Sequence, residues 1–151
     1  MEMRFKIASA LAAALLVGAL APGGSASAAK TKTVTVKLLE FQVRPKPTSV
    51  KAGNIRFKAK NIGTIDHEMV VVRTDGASLP VSADGSVDEA GVSESATIGE
   101  VEDVAPKKSK VFTAKALTPG TYTLFCNIAE TAGGTLLVHY ARGMHTTFTV
   151  R

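Results

Sequence analysis

Residues 109–126 read SKVFTAKALTPGTYTLFC, and this stretch decides the fold class. Two runs of apolar and β-branched residues, 109–117 and 121–126, flank the turn sequence TPG. Alternating polar and apolar residues on either side of a Pro-Gly turn are typical of two successive β-strands. The stretch therefore predicts β-structure, and it ends on Cys126, the single cysteine of the chain.

The same alternation extends in both directions from this stretch. Strands are predicted at 33–38, 54–61, 67–74, 134–140 and 146–150. Pro45 and Pro47 mark an irregular or edge segment between the first two of these strands. No long helix is indicated. Short strands separated by turn sequences such as NIG, TPG and AGG predict an all-β fold, a β-sandwich of one domain.

Residues 75–108 depart from this pattern. The segment is polar, and from Asp75 to Asp103 it contains eight acidic residues and neither Lys nor Arg. A structureless stretch of this length is unusual in a compact domain. We therefore expect a short helix near 87–90 and a short strand near 96–101.

The N-terminus has the features of a secretory signal peptide. A basic start, MEMRFK, precedes an apolar run of 15 residues and the small-residue pattern Ala26-Ser27-Ala28. We predict a signal peptide over 1–28 and a single domain over 29–151, exported to the periplasm or secreted. An uncleaved N-terminal anchor is the alternative. The lack of a cysteine near the cleavage site excludes anchoring through a lipid-modified cysteine.

The charge is unevenly distributed. The chain carries 18 Lys and Arg against 13 Asp and Glu. Outside residues 1–28 and 75–103 it holds sixteen basic residues and four acids. No aromatic-interleaved basic helix supports nucleic-acid binding. A basic body favours encounters with an acidic partner surface or another anionic surface, although a solvated surface without a partner explains it equally well. We expect a monomer.

Cys126 has three interpretations, because one cysteine closes no internal disulfide in an exported protein. It is a buried thiol, half of an intermolecular bridge, or a metal ligand. His139 and Met144 follow it in sequence, and His67 begins an earlier strand. Two imidazoles, a thiolate and a weak axial thioether are the donors of a blue-copper electron-transfer site. Each residue alone is more often structural, whereas the set of four favours copper.

Three stretches carry a family resemblance: NIGTIDHEMVVV, LTPGTYTLFCNI and HYARGMHTTFTV. They resemble the signature stretches of the small cupredoxins, the plastocyanin-like type 1 blue copper proteins, and the resemblance spans roughly residues 34–150. It implies a Greek-key β-sandwich with one copper ion that cycles between Cu(I) and Cu(II). It also implies that His67, Cys126 and His139 are ligands with Met144 as the axial ligand. Tyr122 would pack at a corner of the sandwich.

The resemblance is broken by an insertion. Many relatives have four residues between the cysteine and the second histidine, whereas 12 separate Cys126 from His139 here. The resemblance implies that His139 lies near the surface as the exit route for the electron. Leu136, Leu137 and Tyr140 would then enlarge an apolar patch around it.

Other residues near the proposed ligands have simpler interpretations. Met69 is expected in the core, His145 on the surface, and Glu68 facing solvent by strand alternation. No HExxH, CxxC, GxSxG or P-loop motif is present, so we expect no enzymatic activity. The sequence thus predicts an electron carrier that serves redox proteins. A periplasmic copper carrier or resistance protein and a metal-free interaction sandwich remain the alternatives.

Overall fold

The computed structural model describes residues 30–151, and the predicted signal peptide at 1–28 lies outside these residues. Within them the chain forms eleven strands and two single-turn 3₁₀ helices. The strands are β1 (Lys32–Leu39), β2 (Gln42–Lys46), β3 (Ser49–Val50), β4 (Gly53–Asn61), β5 (His67–Arg73), β6 (Thr97–Val104), β7 (Ser109–Leu117), β8 (Gly120–Phe125), β9 (Ala129–Ala132), β10 (Thr135–Val138) and β11 (His145–Val150).

The strands form two main sheets and a separate hairpin. The first sheet has the order β2-β1-β4-β7, in which β1 runs parallel to β4 and the other pairs are antiparallel. The second sheet has the order β3-β11-β8-β5-β6. The strands β9 and β10 pair only with each other. The fold is the all-β sandwich that the sequence predicts.

The core lies between the two main sheets. Val34, Val36 and Leu38 alternate inward from β1 and are fully buried. Phe57 from the first sheet and Phe148 from the second meet edge to face, with their ring centroids 5.5 Å apart. Burying a large apolar side chain contributes about 2 kcal/mol. Burial of the apolar side chains that alternate inward along the strands therefore holds the two sheets together.

The structure confirms most of the predicted elements. Six of the predicted strands match β1, β4, β5, β7, β8 and β11, with ends that differ by at most one residue. Gln42–Lys46, which contains Pro45, is an edge strand. The acidic segment holds a 3₁₀ turn at Glu89–Gly91 and the strand Thr97–Val104. The Tyr122 hydroxyl donates a hydrogen bond to the carbonyl of Thr118 (2.7 Å), which agrees with the corner position expected for Tyr122.

The strand predicted at 134–140 is shorter and has a different partner. It is β10, which forms a hairpin with β9 instead of joining the sandwich. Gly133 and Gly134 form the turn with φ values of 58° and 78°, a left-handed conformation that suits glycine in a two-residue hairpin turn. The insertion between Cys126 and His139 is thus an ordered hairpin, called the inserted hairpin below.

In the described part of the chain, residues 30–151, no helix is long and apolar enough to cross a membrane.

Candidate metal centre

The second sheet brings two of the predicted ligands to one end of the sandwich. His67 begins β5, and Cys126 follows the last residue of β8. These strands pair antiparallel with Val70 opposite Phe125, so the start of β5 lies beside the end of β8. Antiparallel pairing therefore brings His67 and Cys126 close together, although they are 59 positions apart in the sequence.

The third donor, a second histidine, follows the inserted hairpin. His139 follows β10, and its backbone N–H donates to the carbonyl of Ile128 (2.9 Å). The donor atoms of His67, Cys126 and His139 all lie within 4.8 Å of one another, and the three residues are buried. Distances of this size are those of side chains that can share one small ion.

Cys126 is held as a buried thiol between two nitrogen atoms. Its sulfur lies 3.3 Å from Nδ1 of His139 and accepts a hydrogen bond from the backbone N–H of Glu68 at 3.4 Å. Burial raises the pKa of the Cys126 thiol to about 11. A metal ligand at this position must be the thiolate. The N–H of Glu68 and a metal ion bound beside the sulfur would both stabilise that thiolate.

The environment of His67 is the strongest indication that this cluster binds a ligand. The residue is fully buried, yet neither Nδ1 nor Nε2 has a hydrogen-bond partner among the described residues. A buried polar group without a partner costs on the order of 1–3 kcal/mol. Burial, and to a lesser extent the neighbouring His139, lower the pKa of His67. The ring is therefore held neutral, which is the form that binds metals.

Met144 is fixed at the same end of the molecule. It precedes β11, is fully buried and belongs to the same apolar cluster as Cys126. The carbonyl of Met144 accepts the N–H of Cys126 (3.0 Å), and its own N–H donates to the carbonyl of His139 (3.1 Å). Two backbone hydrogen bonds thus tie the loop of Met144 to both neighbouring candidate ligands.

His139 is fully buried, whereas the resemblance implied a position near the surface beneath an apolar patch. The inserted hairpin places Oε1 of Glu130 at 3.4 Å from Nε2 of His139. Phe41 packs edge to face against the imidazole with a centroid distance of 5.2 Å. A carboxylate and a phenyl ring therefore cover the imidazole. Leu136 at the hairpin is 50% exposed and lies outside both core clusters.

Two residues that the sequence analysis did not single out position the loop 62–66 before His67. The buried Asn61 donates from Nδ2 to the carbonyls of Ile65 and Val104, both at 2.7 Å. Glu40 accepts hydrogen bonds from the backbone N–H groups of Thr64 and Ile65. The N–H of Thr64 is the main cause that lowers the pKa of Glu40 to about 2. Both side chains position the loop by hydrogen bonds to backbone groups, and no sequence pattern predicts such bonds.

Glu68 also differs from its prediction. Its side chain is half-buried instead of facing solvent, and its Oε1 accepts the backbone N–H of Asn127 (2.7 Å). Burial raises the pKa of this carboxyl. Strand alternation fails here because Asn127 lies beyond the end of β8, where its N–H has no ladder partner. Met69 is buried and His145 is exposed beside Tyr140, as predicted.

The donor set fits a copper ion. It combines two imidazoles, one thiol and a buried thioether. Soft sulfur and imidazole donors together favour copper over magnesium or calcium, which prefer oxygen. The nitrogens of His67, which have no partner within residues 30–151, indicate that this cluster is built for a bound group and not for a packed core alone.

The fold and this donor set define the class: a small β-sandwich with a buried His-Cys-His centre at one end. Residues 9–138 match the family model of the cupredoxin-like domain, and the chain belongs to that family. The match ends before His139 and Met144; the structure brings His139 into the cluster and holds the backbone of Met144 next to Cys126 and His139.

Solved structures of similar fold include auracyanin from the photosynthetic bacterium Roseiflexus castenholzii, which is 26% identical with a TM-score of 0.56. The alignment covers 80% of this chain and 97% of that auracyanin. Rusticyanin from Thiobacillus ferrooxidans is 20% identical over 81% of this chain and 78% of its own, with a TM-score of 0.54. Auracyanin B is 20% identical over 80% and 88%, with a TM-score of 0.52. No curated protein sequence matches the chain.

Proposed function

We propose that this protein is an exported type 1 (blue) copper protein that carries single electrons between redox proteins. The observation that carries the proposal is the buried cluster of His67, Cys126 and His139, with donor atoms within 4.8 Å of one another. The unpartnered nitrogens of His67 support it further. Membership of the cupredoxin-like family and the similarity in fold to rusticyanin, which is described as a copper protein, agree with this assignment.

In this proposal His67, Cys126 and His139 hold the copper, and Met144 is the weak axial ligand. Copper bound by two imidazoles and a thiolate cycles between Cu(I) and Cu(II) and so carries one electron. The N–H of Glu68 stabilises the Cys126 thiolate through its hydrogen bond to the sulfur. Hydrogen bonds to a ligating sulfur are among the features that set a reduction potential.

The burial of the centre favours electron carriage over the transport of copper. His67, Cys126, His139 and Met144 have no exposed surface. A protein that delivers copper must exchange its ion readily, and complete burial of the ligands opposes this. The same burial leaves no open position for a substrate, so we propose no enzymatic role. The metal-free sandwich is disfavoured by His67, whose buried nitrogens have no partner among the described residues.

Export and redox partners are the remaining parts of the proposal. The segment 1–28 has the pattern of a cleaved signal peptide. A metal bound to Cys126 would account for a single cysteine in an exported chain, since one cysteine closes no internal disulfide. The partners would be redox proteins that exchange one electron with the centre, approached from the end of the sandwich where the four ligands converge.

Copper binding is tested by adding Cu(II) to the purified protein and recording its visible spectrum. We expect an intense thiolate-to-copper absorption with one copper bound per chain, and loss of that band in Cys126→Ser. His145→Gln is the matched control, because His145 is an exposed histidine outside the cluster. A colourless protein, or colour that persists in Cys126→Ser, would refute the assignment.

The role is tested separately on the copper-loaded protein. An electron carrier should be reduced and reoxidised rapidly while it retains its copper in the presence of a chelator. A copper carrier should instead lose its ion to the chelator on the time scale of mixing. Rapid loss of copper combined with slow reduction would support the copper carrier.

A further inference from the structure

The outer face of the first sheet carries a cluster of six cations, here called the cationic face. Its members alternate with buried residues on three neighbouring strands and are all exposed. They are Lys37 on β1, Arg44 and Lys46 on β2, and Arg56, Lys58 and Lys60 on β4. The strands β1, β2, β4 and β7 contain no Asp or Glu.

The register places these cations side by side. Lys37 lies directly opposite Arg44 on one neighbouring strand and opposite Lys60 on the other. Neighbouring strands are separated by about 4.8 Å, and like charges directly opposite each other are destabilising. None of the six forms an ion pair with any residue between 30 and 151. The fold thus keeps an unfavourable arrangement that no internal acid relieves.

Protection of a sheet edge does not explain this arrangement. Lysines on edge strands discourage pairing with other chains, and this applies to Arg44 and Lys46 on the edge strand β2. Lys37 and the three cations of β4 lie on strands with neighbours on both sides. Four of the six cations therefore lie where no edge needs protection.

The composition of the face suits a lipid surface better than a protein. Stable protein interfaces have an apolar, aromatic core and few lysines. The outward neighbours of the six cations on this sheet include Thr33, Thr35, Leu39, Gln42, Ser109, Val111 and Thr113. Val111, which is 44% exposed, and the half-buried Leu39 are the large apolar side chains among them. The face thus offers charge over an extended area with only two isolated apolar side chains.

We propose that the cationic face binds the anionic phospholipid headgroups of a membrane surface. Each Lys or Arg near such a surface contributes a similar attraction, which salt screens. The row of Arg44, Lys37 and Lys60 lies near the metal end of the sheet, because Glu40 and Phe41 follow β1 there and contact the centre. In this orientation the metal end of the sandwich lies beside the membrane surface. It stays accessible to a partner because the contact is made by the outer face of the first sheet.

The test measures sedimentation of the chain from residue 29 onward, which contains both main sheets, with phospholipid vesicles. Vesicles of equal parts phosphatidylcholine and phosphatidylglycerol should bind the protein at low salt and release it as salt rises. Vesicles of phosphatidylcholine alone should not bind it. Because this binding needs no metal, it is measured on the metal-free protein, so its failure leaves the proposed copper function intact and the reverse also holds.

Matched variants locate the contact. Lys37→Gln, Arg56→Gln and Lys60→Gln combined remove three charges from the face and should weaken binding about a hundredfold. Lys51→Gln, Lys108→Gln and Arg151→Gln combined remove the same charge from exposed positions elsewhere and should weaken it only a few-fold. The first variant removes repulsion between like charges, so its melting temperature should equal or exceed that of the wild type.

Three results would overturn the proposal. The first is no binding to phosphatidylglycerol vesicles. The second is an equal loss of vesicle affinity in both triple variants, which would mean that binding depends on the net charge of the protein and not on the cationic face. The third is binding to a polyglutamate peptide that depends on the face while vesicles do not bind, which would assign the face to an acidic protein partner instead.

Discussion

Oε1 of Glu130 lies 3.4 Å from Nε2 of His139, while the Cys126 sulfur lies 3.3 Å from Nδ1 of the same ring. An ionised carboxylate can only accept a hydrogen bond. Glu130 therefore favours the tautomer that carries its proton on Nε2, and this leaves the lone pair of Nδ1 directed toward the cluster. The inserted hairpin thus does more than cover His139, because it also selects which nitrogen is available to a metal.

Replacing Glu130 should test this selection. In metal-free Glu130→Ala we expect His139 to populate both tautomers, which nitrogen NMR of the imidazole reports directly. Carboxylates that orient ligating histidines typically contribute 10- to 100-fold to metal affinity. Because the side chain of Glu130 is 41% exposed, we expect a loss of copper affinity near the lower end, about tenfold.

Two control variants accompany this measurement. Glu130→Gln keeps an oxygen acceptor and should restore most of the Nε2-protonated form. Thr131→Ala, which alters an exposed neighbour on β9, should leave the tautomer and the affinity unchanged. An unaltered tautomer in Glu130→Ala would mean that another contact orients the ring.

Shortening the inserted hairpin should expose His139. Ala129 and Val138 face each other in the register, so residues 130–137 can be replaced by Gly-Gly with little change at the base of the hairpin. We expect the sandwich to fold, because none of the removed residues belongs to either core cluster. In the metal-free protein His139 should become reactive toward diethyl pyrocarbonate, and the copper-loaded protein should release its ion faster to a chelator.

Leu136→Ser provides the comparison for the shortened hairpin. It changes a half-exposed side chain of the hairpin and leaves the backbone over His139 in place. Its copper release should match that of the wild type. If the shortened protein also behaves like the wild type, then Phe41 alone suffices to cover the ring.

The sequence predicts the sandwich and the positions of candidate ligands at or beside the ends of strands because both depend on local patterns. Alternation sets the strands, and His67, Cys126 and Met144 stand where predicted strands begin or end. Hydrophobic periodicity is the primary signal of such elements. The AGG turn is predicted, whereas the strand Ala129–Ala132 that precedes it is not, so the inserted hairpin appears only in the structure.

The contacts that shape the centre are not local in the sequence. Glu40 reaches Thr64 across 24 positions, and Asn61 reaches Val104 across 43. The alternation of β1 and β4 predicts outward lysines, but only the sheet order shows that these strands are neighbours and that Lys37 and Lys60 are adjacent. Burial of His139 likewise depends on where the hairpin folds, which its own residues do not determine.

The ion pair between Arg73 and Asp75 should make stability depend on acidic pH. Nε of Arg73 donates to Oδ2 of Asp75 at 2.6 Å, and the N–H of Thr121 donates to Oδ1. Arg73 first and Thr121 second lower the pKa of Asp75 below its usual 3.8. Because the folded-state pKa is depressed, the stabilisation is present above 3.8 and is lost as the pH falls below that value.

Asp75→Asn tests this dependence through the melting temperature. The difference between the wild type and Asp75→Asn should be small but measurable at neutral pH, since Asp75 is 54% exposed, and should shrink below pH 3.8. Glu94→Gln removes an acid of the same segment that forms no ion pair within residues 30–151, and it should show no such trend. A difference that is constant with pH would indicate that the Asp75 charge is not involved.

Asn61 should be the most costly polar residue to replace near the centre. It is fully buried and makes three hydrogen bonds: two from Nδ2 to the carbonyls of Ile65 and Val104, and one to Oδ1 from the N–H of Gly63. Asn61→Ala leaves these backbone groups without partners, at about 1–3 kcal/mol for each that stays buried. Water can reach the loop once the side chain is removed, so we expect the free energy of unfolding to fall by about 3 kcal/mol in urea titration.

Asn54→Ala is the matched control, because Asn54 accepts one hydrogen bond from the N–H of Ala116 at a partly exposed position. Its loss should be about 1 kcal/mol or less. Asn61→Ala should also loosen residues 62–66, so amide hydrogen exchange of Ile65 should accelerate strongly. Exchange of Leu124 in the core of β8 should accelerate only as much as the loss of global stability requires. Equal stability losses in the two variants, or unchanged exchange at Ile65, would show that Asn61 does not hold the loop that positions His67.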